Sequence, residues 1–159
     1  MQKKQDVVSQ ALSACAGEWI ETTGTGGYAF SPTHLLNTRR YHGLLLAGQA
    51  ADVKRAVLIS RIDEVLSSGG KAYELGSRIF DNTVAPSGYS FITSFKRHPA
   101  PQFIYDIPEG LTLEKTVLAI PGSNSVVIRY VLSGTEEESV AIRFEPFFAL
   151  RAYHSLFVD

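Results

Sequence analysis

Four side chains that bind ligands in many proteins follow one another at Arg39, Arg40, Tyr41 and His42. Their guanidinium, phenol and imidazole groups donate hydrogen bonds and offer flat faces for stacking. Because side chains alternate along a strand, we expect Arg39 and Tyr41 on one face and the other two residues on the opposite face. One pair could then face a ligand or a partner domain while the other anchors the sheet. An arginine that is buried to bind loop carbonyls is an equally good interpretation.

The same combination of arginine, aromatic residue and histidine returns at Arg151, Tyr153 and His154. It follows a strand predicted over residues 139–148, just as the first group lies where a loop leads into a strand. The two groups could therefore meet at one edge of a sheet. Both are candidates for binding a substrate or an interface.

A glycine-rich segment precedes the first group. Residues 24–29, Gly-Thr-Gly-Gly-Tyr-Ala, match the pattern of loops that hold the phosphates of dinucleotides. Such a loop needs a helix that opens directly behind it, and Pro32 and Asn37 interrupt any helix here. No βαβ unit follows, so a tight turn or a close backbone approach is favoured over a nucleotide site.

The sequence predicts neither a metal site nor a disulfide. The histidines His34, His42, His98 and His154 lack the short spacing of metal-ligand pairs. Cys15 is the single cysteine, which excludes an intrachain disulfide and a thiolate cluster. We therefore expect no metal and no other cofactor.

Glycoside hydrolysis requires two opposed carboxyl groups, and the sequence offers no convincing pair. Asp63 and Glu64 are adjacent, so on a strand they point to opposite faces. Glu114 and Lys115 are typical of an exposed pair on a strand. No serine stands in the G-x-S-x-G pattern of a nucleophile elbow. We expect no catalytic residue in this chain.

Strands are predicted to position these groups. Residues 1–17 are assigned to an N-terminal arm or short helix, because residues 5–16 carry an apolar helical stripe. Residues 18–159 show about nine strands joined by short turns, which is typical of an all-β, antiparallel β-sandwich. The predicted strands cover residues 18–22, 41–47, 55–66, 71–75, 90–97, 102–107, 111–120, 125–132 and 139–148.

The composition indicates a soluble domain in the cytoplasm. Of 159 residues, 45% are hydrophobic and 19% are charged, which excludes extensive disorder. A net charge of −1 argues against binding of nucleic acid. No apolar stretch approaches the roughly 20 residues of a membrane helix, and no signal peptide is visible, so no membrane partner is expected.

One string of residues is specific enough to suggest a family. Residues 37–45 read Asn-Thr-Arg-Arg-Tyr-His-Gly-Leu-Leu. Weaker motifs surround this string in order: Glu18-Trp19-Ile20, residues 24–29, Asp63-Glu64, Pro86-x-Gly88-Tyr89, Phe95 with Pro99-x-Pro101, Leu113-Glu114-Lys115 and Arg151-x-Tyr153-His154. Together they resemble the N-terminal domain of bacterial and archaeal glycogen debranching enzymes, the amylo-α-1,6-glucosidases. Thr23 and Ala152 depart from that pattern, which often has asparagine and an acidic residue there.

The resemblance implies a supersandwich-like, non-catalytic N-terminal domain of a glycoside hydrolase. In that family the catalytic carboxylates belong to an (α/α)6 barrel that follows in the same chain, and the substrate is glycogen or a related α-glucan. The two polar groups would pack on this barrel and border the glucan site. The family's domain continues beyond residue 159, so we expect strands to be missing at the C-terminal end, and an open sheet edge favours dimerisation.

Two other functions stay open at this point. A free-standing carbohydrate-binding module would stack sugars on Trp19 or on tyrosines. Core packing is nevertheless the favoured role for Trp19. A purely structural assembly domain would only support the barrel.

Overall fold

The computed structural model describes residues 17–48, 55–80, 83–134 and 139–156. Within these residues the fold is all-β, as predicted, and every strand pairing is antiparallel. The helix predicted over residues 5–16 lies outside the described residues. No helix in the described part of the chain has the length and apolar character needed to cross a membrane.

The described chain contains twelve strands and two short 3₁₀ helices. The 3₁₀ helices cover Gly88–Phe91 and Pro108–Gly110. The strands are β1 (Glu18–Thr22), β2 (Tyr28–Pro32), β3 (Gly43–Gly48), β4 (Arg55–Ser68), β5 (Lys71–Glu74), β6 (Ser77–Phe80), β7 (Thr83–Ser87), β8 (Ile92–Lys96), β9 (Gln102–Ile107), β10 (Leu111–Ala119), β11 (Val126–Ser133) and β12 (Val140–Ala152).

Two sheets face each other across a shared core. The first sheet has the order β1-β2-β3-β4-β12, and β5 pairs with the second half of β4. The second sheet has the order β11-β10-β9-β8. A separate two-stranded sheet is formed by β6 and β7. This is the antiparallel sandwich that the sequence predicts.

Alternation along the central strands builds the core between the sheets. In β10 the side chains of Leu111, Leu113 and Val117 are almost fully buried, whereas Thr112, Glu114 and Thr116 are more exposed. Trp19 of β1 is 2% exposed and contacts Phe103 of β9 edge to face, with ring centroids 6.0 Å apart. Core packing is thus confirmed for Trp19, and a sugar-stacking role for its ring is wrong.

Three strands in the structure, β2, β6 and β7, are not predicted from the sequence. The glycine-rich segment is the turn between β1 and β2, closed by a hydrogen bond from Thr23 N to the Gly27 carbonyl oxygen at 3.0 Å. β6 and β7 are short and pair with each other, so neither carries a long alternating pattern. β3 begins at Gly43 rather than at Tyr41, because the residues before it form a turn.

Candidate functional site

Five of the predicted site residues meet on one surface, which we call the tyrosine–arginine cluster: Arg40, Tyr41, Arg151, Tyr153 and His154. The first two lie in the turn before β3, and the others lie at or just beyond the end of β12. The ring centroids of Tyr41 and Tyr153 are 5.0 Å apart, and those of Tyr153 and His154 are 3.9 Å apart. Tyr41 Oη lies 3.2 Å from His154 Nδ1, within hydrogen-bond distance. For these residues, the predicted meeting of the two groups is confirmed.

Hydrogen bonds from both arginines to backbone carbonyls hold the cluster together. Arg40 Nη1 donates to the His154 carbonyl oxygen at 3.1 Å, and Arg151 Nη2 donates to the Arg40 carbonyl oxygen. Arg151 Nη1 also donates to the Ser155 carbonyl oxygen at 2.7 Å. Each segment therefore contributes one guanidinium that binds the main chain of the other. The arginines organise loop carbonyls at a surface where Arg40 and His154 stay exposed.

Two further residues, Tyr28 and Arg55, support the cluster and are not predicted from the sequence. The Arg55 guanidinium carbon lies 5.5 Å from the centroid of the Tyr153 ring, and the Arg55 carbonyl oxygen accepts the Tyr153 N–H at 3.0 Å. Tyr28 Oη donates to the Tyr41 carbonyl oxygen at 3.5 Å. Burial raises the pKa of the Tyr28 phenol above its usual value, so this donor stays protonated at neutral pH. Tyr28 belongs to the glycine-rich segment of residues 24–29, whose glycines predict a backbone turn but give no indication that the Tyr28 side chain has a role.

Arg39 and His42 lie apart from the cluster, around the carboxylate of Glu18. His42 Nε2 and Arg39 Nε are 3.0 Å and 3.1 Å from Glu18 Oε1. His42 Nδ1 accepts the backbone N–H groups of Thr38 and Arg39 at 3.0 Å and 3.2 Å. Because Nδ1 is an acceptor, the proton of the neutral ring sits on Nε2, which donates to Glu18. His42 is 2% exposed, so it fixes this turn from inside.

The strand alternation predicted for residues 39–42 is wrong. His42 N donates to the Arg39 carbonyl oxygen at 3.0 Å, which closes a turn over these residues. The buried imidazole binds two backbone N–H groups that a strand would use in its ladder. The turn consequently brings Arg40 and Tyr41 to the same surface, although alternation predicts opposite faces.

The buried imidazole of His42 makes the stability of the domain sensitive to acid. Burial lowers the pKa of His42 below its usual 6.5, although Glu18 acts in the opposite direction. The unfolded chain therefore binds more protons than the folded chain below about pH 6.5, and the stability that His42 contributes above that pH is lost on acidification. We expect an NMR titration of the ring to have a midpoint below that of histidine in an unfolded peptide. His42→Gln should remove this share of the acid dependence, and a midpoint at or above 6.5 would contradict the neutral ring.

Asp63 and Glu64 point to opposite faces of β4, as predicted, and each is matched with cations. Glu64 faces the core, where its carboxylate accepts hydrogen bonds from Lys115 Nζ at 2.6 Å and from the Tyr130 hydroxyl. Asp63 faces the other side and pairs with Arg61. The prediction that Lys115 is exposed is wrong: it is 4% exposed, because β10 turns that position inward. Asp63 lies opposite Glu145 of β12 in the strand register, but each of these two carboxylates pairs with an arginine. Neither is therefore free to act as one of the two carboxyl groups that glycoside cleavage requires.

The tyrosine–arginine cluster can bind and orient a ligand or a protein surface. Within the described residues, Arg40, Arg55 and Arg151 form no ion pair with a carboxylate. Their donors and the aromatic rings are suited to hydrogen bonding and stacking. The cluster supplies no carboxyl group for acid–base catalysis.

The fold and the site define an all-β sandwich domain whose tyrosine–arginine cluster carries no pair of opposed carboxylates. The chain belongs to the family of glycogen debranching enzyme N-terminal domains, whose model matches residues 17–158. This match confirms the resemblance seen in the sequence motifs. We found no significant match among curated proteins or among solved structures.

Proposed function

We propose that this chain is the non-catalytic N-terminal domain of a glycogen-debranching α-1,6-glucosidase and that it packs on an (α/α)6 catalytic barrel. The family match over residues 17–158 supports the assignment to a debranching enzyme. The cationic partners of Asp63 and Glu64 support the non-catalytic role, because glycoside hydrolysis uses two carboxyl groups that flank the bond. Acid and base would then come from the barrel. The enzyme would act in the cytoplasm on glycogen or a related α-glucan.

The tyrosine–arginine cluster is the proposed border of the glucan site. Tyr41 and Tyr153 present two rings 5.0 Å apart beside the imidazole of His154, and this observation carries the assignment. Sugars pack their apolar faces on aromatic rings, and their hydroxyl groups bond to guanidinium, phenol and imidazole groups. Since Arg40 and Arg151 also bind backbone carbonyls, the surface is ordered before a ligand arrives, which favours binding.

An apolar strip on β12 supports packing against a further domain. In the described part of the chain, β12 ends the first sheet and has β4 as its neighbour. Phe144, Phe148 and Leu150 of this strand are 48%, 65% and 69% exposed. Open sheet edges with exposed apolar side chains pair with other chains unless they are covered. We assign this strip to the interface with the barrel, and a second copy of the chain is the alternative partner.

The experiment that tests the proposal compares the chain alone with the longer protein that contains the barrel. We expect the chain alone to release no glucose from a phosphorylase limit dextrin, whereas the longer protein releases it. In the longer protein, the double substitution Tyr41→Ala and Tyr153→Ala should raise KM for the dextrin by roughly tenfold with a smaller change in kcat, because two stacking surfaces are lost.

Matched variants separate ligand contact from folding. Phenylalanine at both tyrosine positions keeps the rings and should retain most of the affinity. Arg129→Ala alters an exposed arginine of β11, outside the cluster, and should change neither KM nor kcat. Glucose release by the chain alone would contradict the non-catalytic role. Tyrosine variants that lose stability but keep KM and kcat per folded molecule would leave the cluster a supporting role only, and tight maltooligosaccharide binding by the chain alone would favour a free-standing module.

A further inference from the structure

Two arginines share one buried carboxylate on the face of β4 that points away from the core. Arg61 Nε is 3.1 Å from Asp63 Oδ1, and Arg78 Nε is 3.2 Å from Asp63 Oδ2. The Asp63 side chain is 5% exposed, while those of Arg61 and Arg78 are 27% and 23% exposed. Two positive charges thus face a single negative charge, and an excess of one positive charge is left in a largely buried place.

The neighbouring carboxylates do not cancel this excess, since Glu145, the β12 residue opposite Asp63, pairs with Arg143. Glu64 faces the core, where Lys115 and Tyr130 bind its carboxylate. Arg78 Nε and Asp63 Oδ2 are buried and lack a hydrogen-bond partner, so their contact is electrostatic without an aligned hydrogen bond. A buried donor without an acceptor is costly, and a ligand that provides the acceptor would lower that cost.

Phe147 lies against both guanidinium groups. The guanidinium carbons of Arg61 and Arg78 are 4.1 Å and 5.3 Å from the centroid of its ring. Stacking on an aromatic ring fixes a guanidinium and leaves its N–H edge available for hydrogen bonds. Within the described chain, each of these two arginines contacts Asp63 through Nε. The terminal N–H groups can therefore bind a further acceptor.

These N–H edges lie at a cleft of about 160 Å³ between β4 and β6. The cleft is well above the roughly 10–15 Å³ that one water molecule requires, so it can admit a polar group of a ligand. Asn37 and Ser77 add polar side chains to its wall, and Phe80, which is 57% exposed, adds an apolar one. Donors on one side and an apolar wall on the other suit an oxyanion that is attached to an organic group.

We propose that the Arg61–Arg78 cleft binds an oxyanion, either the phosphate of a small phosphorylated molecule or the carboxylate of an acidic side chain elsewhere in the full protein. Guanidinium groups match both oxyanions with paired, charge-assisted hydrogen bonds. Asp63 holds the two arginines together and limits the net charge of the site. The cleft shares no residue with the tyrosine–arginine cluster, so oxyanion binding by the chain alone is tested independently of the proposed glucan function. Only the identification of the occupant rests on that proposed function, because it uses the longer protein.

Titration of the chain alone with inorganic phosphate, and separately with acetate, tests the site through the NMR signals of the arginine side chains. Arg78→Gln should weaken saturable binding by roughly tenfold or more, because charge-assisted hydrogen bonds are lost. Asp63→Asn keeps the shape of the side chain but removes the opposing charge, so it should tighten binding several-fold. Arg129→Gln changes an exposed arginine of β11 and should leave the affinity unchanged.

If Arg78→Gln fails to fold, Asp63→Asn still tests whether the cleft binds an oxyanion. If Arg61, Asp63 and Arg78 had only a structural role, Asp63→Asn would lower stability without any gain in phosphate affinity. The inference is overturned if neither phosphate nor acetate binds saturably, or if Arg78→Gln leaves their affinity unchanged. It is also overturned if Asp63→Asn weakens their binding or leaves it unchanged. Binding that the longer protein retains identifies a small phosphorylated ligand. Binding seen in the chain alone and lost in the longer protein identifies an acidic side chain of that protein as the occupant.

Discussion

Lys115→Met is expected to lower the unfolding free energy of the domain by about 3–5 kcal/mol. Lys115 and Glu64 form an ion pair between the two sheets, with 2.6 Å between Nζ and Oε1 and side chains that are 5% and 1% exposed. Without the ammonium group, the Glu64 carboxylate stays in the core with a hydrogen bond from the Tyr130 hydroxyl and no opposing charge. An uncompensated buried charge is strongly destabilising. Urea unfolding at neutral pH measures the loss.

Lys71→Met is the matched control, because Lys71 pairs with Glu109 at the surface and its side chain is 64% exposed. Solvent screens such a pair, so its removal should leave the unfolding free energy almost unchanged. Adding Glu64→Leu to the Lys115→Met variant should restore much of the stability, since no buried charge remains. If Lys115→Met costs no more than the control, then the buried Lys115–Glu64 ion pair does not stabilise the folded domain.

The sequence predicts strands well where one face of the strand is buried. β9 has the predicted bounds, because Phe103, Tyr105 and Ile107 alternate with less buried residues. The same period of two predicts that Asp63 and Glu64 point to opposite faces, which the structure confirms. Alternation is a local property of the chain, so it can be read without knowing which strands become neighbours.

Lys115 shows what the local pattern does not reveal. Alternation in β10 turns this position inward, but a lysine next to Glu114 is typical of an exposed strand. Its burial depends on Glu64, which is 51 residues away in the sequence and belongs to the other sheet. The partner of a buried charge is therefore known only when the sheets are stacked.

Some features of the tyrosine–arginine cluster can be predicted from the sequence, and others cannot. The types of its residues are visible in the sequence, and so is their position next to strands. Which of them meet depends on the turn that His42 closes by binding two backbone N–H groups with its ring. A histidine in such a string carries no sequence signal that distinguishes a buried acceptor from a ligand-binding side chain, so His42 could not be separated from Tyr41 in advance.

Gly88→Ala is expected to lower the unfolding free energy by about 3 kcal/mol or more. A Cβ atom at this position would lie 2.1 Å from the carbonyl carbon and oxygen of Leu75 and 2.6 Å from the carbonyl oxygen of Gly76. These are main-chain atoms, so rotation of a side chain cannot relieve the overlap. Leu75 is 1% exposed in the core, and Gly88 N donates to the Gly76 carbonyl oxygen at 2.8 Å. The domain must therefore either move Leu75 or give up this hydrogen bond.

Gly70→Ala is the control that separates backbone strain from lack of space. Gly70 has a φ of +74° with nothing within 4 Å of an added Cβ, so alanine there should cost about 1 kcal/mol through conformation alone. Gly88 is not among the glycines with positive φ, so its cost arises from the overlap. Urea unfolding should give a clearly larger loss for Gly88→Ala. Equal losses would mean that Gly88 is not packed tightly against the segment that carries Leu75.

The same overlap links Gly88 to the oxyanion cleft. Gly76, whose carbonyl Gly88 contacts, lies so close to Asp63 that an added Cβ would be 2.5 Å from the carboxyl carbon. A shift of this segment therefore changes the position of the carboxylate that holds Arg61 and Arg78 together. Gly88→Ala should weaken phosphate binding in the cleft as well as stability, whereas Gly70→Ala should leave phosphate binding as it is in the unaltered chain.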